Sequence, residues 1–400
     1  MSHDVPSPSM AHAYSDQAVP TPGRLRRLPR LRRVVLITVL TVLFGLGGVS
    51  TLALIGATTG LTATVFGITL SLVVIGIVVP VFLWVDRFEA EPPGMLAFAF
   101  LWGACIATIG AVFLNDFGGY LLGAGEEDNG QVAVLVAPLV EESLKGLGLL
   151  LLLWFRRREI DGVLDGIVYA GLTACGFAFV EDIIYLASDY ATSGESGLMS
   201  TFVLRVVMSP FAHPMFTIWI GIGVGLAAVS RRWVVRLGAP VLGWLIAVFF
   251  HALWNAGAVI SANGWLWTYI VIQAPLFLMF VALLIWVRRR EAKIIGRELQ
   301  AYVPNGILTP AEVAMLSSMS ERKYARQWAD NSGGKPARAR MAEFQEAGSE
   351  LAMVRAKISR GIRGERILRE EQDLVTVIAI RRQEFLGSAI YRKFEVLGHL

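Results

Sequence analysis

Between residues 34 and 287 the chain keeps returning to apolar runs of about the same length: 34–56, 62–85, 95–116, 131–155, 163–188, 201–229, 234–260 and 265–287. At roughly 1.5 Å of rise per residue, each run coils into a helix long enough for a hydrocarbon core ~30 Å thick. The expected fold class is therefore all-α: a polytopic membrane protein with about eight transmembrane helices. The composition, 55% hydrophobic and 17% charged, excludes an ordinary soluble domain. Cys105 and Cys175 both lie inside apolar runs with no CxxC spacing, so neither a disulfide framework nor a zinc ribbon is expected.

The connections divide by charge. The stretch RLRRLPRLRR (24–33) carries six arginines. Arg87, then Arg156 to Arg158, then Arg231, Arg232 and Arg236, and finally Arg288 to Arg290 with Lys293 mark every second connection. The alternate ones, near 57–61, 117–130, 189–200 and 261–264, have no Lys or Arg. This is the positive-inside pattern of a multi-pass cell-membrane protein with both termini cytoplasmic. The expected organisation is a disordered basic N-terminus (1–33), a transmembrane domain (34–287) and a cytoplasmic polar helical tail (288–400). The tail should be helical over 310–329, 338–360 and 365–395, with NSGGKP (331–336) as a breaker. It reads as a solvated appendage, with attachment to anionic lipid as the alternative. Nothing points to a nucleic-acid partner.

A charged side chain at mid-membrane costs about 2.5–3.5 kcal/mol on insertion scales and marks function by default. Such groups concentrate in four consecutive runs: Glu141, Glu142 and Lys145; Glu181 and Asp182; Arg205 and His213; His251 and Asn255. Ideal helices put Glu141, Glu181, His213 and His251 at a common depth of roughly 10–18 Å below the outer surface. Glu141 and Lys145 share a face, as do His251 and Asn255, and as do Phe177, Glu181 and Tyr185. Pro210 and Pro214 bracket His213 and free backbone carbonyls there. Each group also has a structural reading. The 141/142–145 set could only lock helices together, Glu181 could only neutralise Arg205, and each His could only bond one helix to another. Asp161 reads as an N-cap. Asp182 cannot share the face of Glu181 and is secondary.

Together EESLK (141–145), DGIVYAGLTACGFAFVEDIIY (165–185), the His213 segment and HALWN (251–255) resemble the PrsW family of intramembrane proteases, which is related to the type II CAAX prenyl endopeptidases and their bacterial immunity-linked relatives. The resemblance covers roughly residues 80 to 260. Where the family has Glu-Asn after the GFA segment, this chain has Glu181-Asp182. The resemblance implies hydrolysis of a peptide bond of a membrane protein, such as a single-span anti-sigma factor. It implies Glu141 as general base, Glu142 as its partner or proton donor, His251 and Asn255 as oxyanion donors, and Glu181 and His213 as groups that orient water or bind metal. Lys145 completes the catalytic set.

The chemistry of the residues agrees. Peptide hydrolysis needs an activated water, a proton for the leaving amine and donors for the oxyanion. There is no GxSxG elbow and no HExxH. One Zn²⁺ on Glu181, His213 and His251 is compatible with the sequence without being required by it. An ion- or proton-coupled transporter and a non-catalytic scaffold are the rival classes, since intramembrane Glu, Lys and His also line ion pathways.

Overall fold

A computed structural model describes residues 30–123, 129–157, 159–259, 265–362 and 364–398. The predicted disorder of the N-terminus and the 261–264 connection lie outside the described residues, save for residues 30–33, which begin a helix. Two compact units are distinguished, Arg33–Glu291 and a second that includes Ala292–Leu400. No strand occurs among the described residues.

The first unit takes in α1 (Arg30–Thr59) from Arg33, α2 (Leu61–Val85), α3 (Pro93–Leu121), α4 (129–156), α5 (Val163–Thr201), α6 (Ala212–Val229), α7 (Trp233–Val259) and α8 (265–299) as far as Glu291. By length and composition six helical stretches could cross a membrane, with Val163–Val229 counted as one. α4 is missing from that number because its charges raise its polarity, not because it is short.

The 67 residues of Val163–Val229 would reach roughly 100 Å as one rod, far beyond a bilayer. They double back instead. Gly194 has φ +64, a left-handed conformation that glycine adopts without steric cost. Beyond it Thr201 Oγ1 donates to Asp189, a residue roughly 18 Å away on a straight helix. The connection predicted at 189–200 is thus mostly helical, with its reversal at one glycine. The returning arm widens into a π turn at Phe202–Val207 and breaks at 208–211 before α6 begins.

This hairpin is the core of the unit, and Tyr169, Phe177, Ile167 and Phe216 are fully enclosed. α5 and α6 meet backbone to backbone: a Cβ on Gly221 would lie 2.1 Å from the Gly166 carbonyl oxygen. The outer helices instead expose Val39, Leu46, Phe113, Leu242 and Phe249. Large apolar side chains on the outside and polar ones within suit a protein whose solvent is lipid.

Asp161 is not the N-cap of α5. Gly162 occupies the cap position, and Asp165 Oδ2 accepts from the backbone N–H groups of Asp161 (2.7 Å) and Gly162 (2.8 Å).

The second unit is helical, as expected of the tail, and has an interior of its own. α9 (Pro310–Leu316) opens with a capping box between Thr309 and Glu312. α10 (Met319–Ser359) reverses at Gly334 (φ +71), inside the predicted breaker, and α11 (Glu365–Gly398) packs on it. Leu316, Phe344, Leu351 and Ile378 form its interior. Arg322 is buried there, donating to the Leu316 carbonyl (2.8 Å) and to Ser349.

Candidate active site

α4, α5, α6 and α7 each present polar side chains to one enclosed space. On α4, Glu141, Glu142 and Lys145 are all buried; Glu142 and Lys145 have no exposed surface at all. Lys145 Nζ donates to Glu142 Oε1 (2.9 Å) and to His213 Nδ1 (3.0 Å), and rests 3.9 Å above the Phe177 ring. Its distance to Glu141 Oε2 is 3.7 Å, beyond hydrogen-bond range. The i,i+4 pair visible in the sequence is therefore the looser of the two, and the i,i+3 pair is the real ion pair.

Glu142 is bonded at both oxygens. Besides Lys145, its Oε1 receives His251 Nδ1 (3.1 Å), and its Oε2 receives Thr217 Oγ1 (2.8 Å). Thr217 was missed from sequence, although it stands one turn after His213 on the same helix face. Glu141 is the opposite case. Its Oε1 faces Asn115 Nδ2 at 3.4 Å, and its buried Oε2 has no hydrogen-bond partner. His251 Nε2 stands 3.8 Å from that oxygen. Asn115 lies on α3, outside the four runs in which the polar groups concentrate.

The two imidazoles are held alike. His213 Nε2–H donates to Glu181 Oε2 (2.6 Å), leaving Nδ1 as an acceptor. His251 Nδ1–H donates to Glu142, with Nε2 turned toward Glu141 Oε2. The rings lie 5.2 Å apart edge to face, and His251 stacks on Phe216 (4.9 Å, 20°). Glu181 Oε2 also accepts from Arg205 Nη2, and Arg205 Nε donates to Asp182 Oδ1 (2.7 Å). The expected Phe177, Glu181, Tyr185 face is realised, with Tyr185 beneath the Arg205 guanidinium at 4.1 Å.

Two predicted placements change. Asn255 Nδ2 donates to the Ala133 carbonyl (2.7 Å), so this amide ties α7 to the π turn Val132–Val136 of α4 rather than joining the cluster. The convergent donor set is Glu141, His213 and His251, whose ligand atoms lie within 4.8 Å of one another. Glu181 is not in it, because its oxygen serves Arg205 and the far nitrogen of His213. A carboxylate on the outer nitrogen of a histidine is what metal-ligating histidines usually have. Both His213 and His251 have one.

Residues 91–286 match the PrsW family intramembrane metalloprotease model. The chain is 32% identical over 170 residues to Protease PrsW of Clostridioides difficile (strain 630), covering 42% of this chain and 69% of that one. The chain belongs to the PrsW family of intramembrane proteases. It is also 30% identical over 151 residues to Protease PrsW of Geobacillus kaustophilus (strain HTA426), covering 37% of this chain and 61% of that one. With Protease PrsW of Bacillus subtilis (strain 168) it shares 26% identity over 210 residues, 52% of this chain and 85% of that one. No solved structure matches. PrsW membership makes the protein a membrane-embedded peptidase and sets aside the transporter and scaffold readings. All four helices that build the cluster fall inside the matched residues.

Proposed function

We propose that this protease hydrolyses a peptide bond of a single-span membrane protein, with Glu141 as general base. The observation that carries the proposal is the contrast between neighbours. Glu142 already accepts three hydrogen bonds, whereas Glu141 Oε2 is buried, unbonded and faced by His251. A buried acceptor without a donor is a seat for water. Water oxygen attacks the carbonyl carbon as its proton passes to Glu141. The C–N bond then breaks, and the same proton goes to the leaving amine. Lys145 supplies fixed positive charge for the oxyanion, and Glu142 holds Lys145 and His251 in place.

The donor set also suits one Zn²⁺. Glu141, His213 and His251 would hold it with a fourth position open, the arrangement of catalytic zinc sites, although Lys145 now occupies the His213 Nδ1 lone pair. Bound there, the ion would acidify a water and polarise the scissile carbonyl.

Eight crossings follow if the hairpin at Gly194 makes two and α4 one more, which supports cytoplasmic termini in the cell membrane. An anti-sigma factor is the substrate class we favour. The test is membrane proteomics of cells with the wild-type protein against Glu141→Gln. One single-span protein should accumulate uncut in the variant, and its absence would refute the assignment.

A further inference from the structure

Arg205 belongs to no part of the reaction described above, yet three polar groups converge on it. It lies in the wide turn Phe202–Val207, just before the break at 208–211, and His213 lies just after that break. Between them the backbone of residues 208–211 is not helical. No regular hydrogen-bond ladder therefore fixes His213 relative to the arm that precedes it.

Glu181, on the opposite arm of the hairpin, spans the interruption. Its Oε2 accepts from Arg205 on one side of the break and from His213 Nε2–H on the other. A second carboxylate anchors Arg205 in turn. Nε goes to Asp182 and Nη2 to Glu181, so one rigid fork bridges adjacent residues that point to different faces of α5. The Tyr185 ring closes the guanidinium plane from below. The consequence reaches the cluster through the imidazole. With Nε2–H committed to Glu181, Nδ1 is the acceptor that meets Lys145.

We infer that Arg205 is a positioning residue of this site, clamping Asp182 and Glu181 so that Glu181 fixes the ring orientation and tautomer of His213 across the 208–211 break. The inference deepens the protease reading and rests on it for its consequence in catalysis, but its geometry can be tested without a substrate. A lysine cannot replace the fork, because an ammonium is a point charge without paired planar donors.

The experiment is ¹⁵N NMR of histidine-labelled protein in nanodiscs, with His213 assigned by His213→Gln. Wild type should show His213 protonated at Nε2 only. Arg205→Gln and Arg205→Lys should both mix the two tautomers, while Asp182→Asn, which leaves Glu181 its guanidinium, should keep the wild-type pattern. Cleavage of the protein identified by proteomics should fall roughly 10- to 100-fold in kcat for Arg205→Lys with KM nearly unchanged, as for a loss of geometry rather than of binding. If Arg205→Gln does not fold, Arg205→Lys alone decides. An unaltered His213 spectrum in a folded Arg205 variant overturns the clamp, whatever happens to activity. Altered spectra without any protein cut by wild type would uphold the clamp and remove the protease reading instead.

Discussion

Replacing Glu141 by Gln separates chemistry from architecture more cleanly than any other change in this site. The structure sets the expected size of each effect. Glu141 makes no close ion pair: Lys145 lies at 3.7 Å and His251 at 3.8 Å, and the single amide contact from Asn115 is 3.4 Å long. A glutamine keeps that contact and leaves no charge stranded, because Lys145 retains Glu142 at 2.9 Å. Stability should change by less than about 1 kcal/mol. Loss of a general base costs roughly 10²–10⁴ in rate, or about 3–5 kcal/mol at the transition state. Lys145→Met is the contrast. It strands Glu142 in a buried site and should destabilise by about 3–5 kcal/mol, and Glu142→Gln with Lys145→Met should recover part of that stability without recovering cleavage. The assay pairs thermal unfolding in nanodiscs with single-turnover cleavage of the membrane protein that accumulates in the Glu141→Gln strain. A Glu141→Gln enzyme that still cuts, or that unfolds as readily as Lys145→Met, would refute the division of labour between the two glutamates.

Three other outcomes follow from the structure. Burial, reinforced by Asp165, lifts the Asp86 carboxyl at the end of α2 from 3.8 to about 8 even though the Glu91 N–H opposes it. Ionising it costs the folded state progressively between those values, so Asp86→Asn should melt higher than wild type by a margin that grows from pH 5 to 8 and is flat above; a constant margin would refute this. Gly221→Ala must push α5 and α6 apart and should cost at least roughly 1–3 kcal/mol, seen as a lower unfolding temperature. A cysteine at Ser193 should react with an impermeant thiol reagent in intact cells and one at Ser230 should not, Cys105 and Cys175 being buried; the reverse pattern would invert the topology.

The helices and the polar cluster were legible because lipid makes both loud. A long apolar run has few other folds available, and an ionisable group within one must have a protein partner. What stayed hidden was which partner. Spacing on α4 offered Glu141 with Lys145 at i,i+4, whereas a second helix carrying His213 draws the ammonium toward Glu142. Spacing likewise put Asn255 beside His251, but the π turn at Val132–Val136 brings the Ala133 carbonyl within 2.7 Å and captures the amide. The hairpin reversal at Gly194 was invisible for another reason. Two glycines in a short polar stretch read as a loop, and only the φ of Gly194 shows that helix continues on both sides of a single reversal.

Charge balance bears on the remaining chemistry. The connected network holds four carboxylates, Glu141, Glu142, Glu181 and Asp182, against two permanent cations, Lys145 and Arg205. His213 accepts from Lys145 at Nδ1 and so adds no charge, whereas His251 Nε2 faces the Glu141 carboxylate. An enclosed site does not keep two uncompensated negative charges. A divalent cation on Glu141, His213 and His251 and a pair of protons are the two ways to close that gap, and they predict different proteins. The first retains about one equivalent of zinc through purification and loses it in His213→Ala with His251→Ala. The second is metal-free and fully active after chelation, with Glu141 acting as base through water alone. As a ligand of that ion Glu141 would leave proton removal to the water the metal acidifies, whereas its orphaned Oε2 is the base in the metal-free protein, so the zinc measurement also tests the assignment of Glu141.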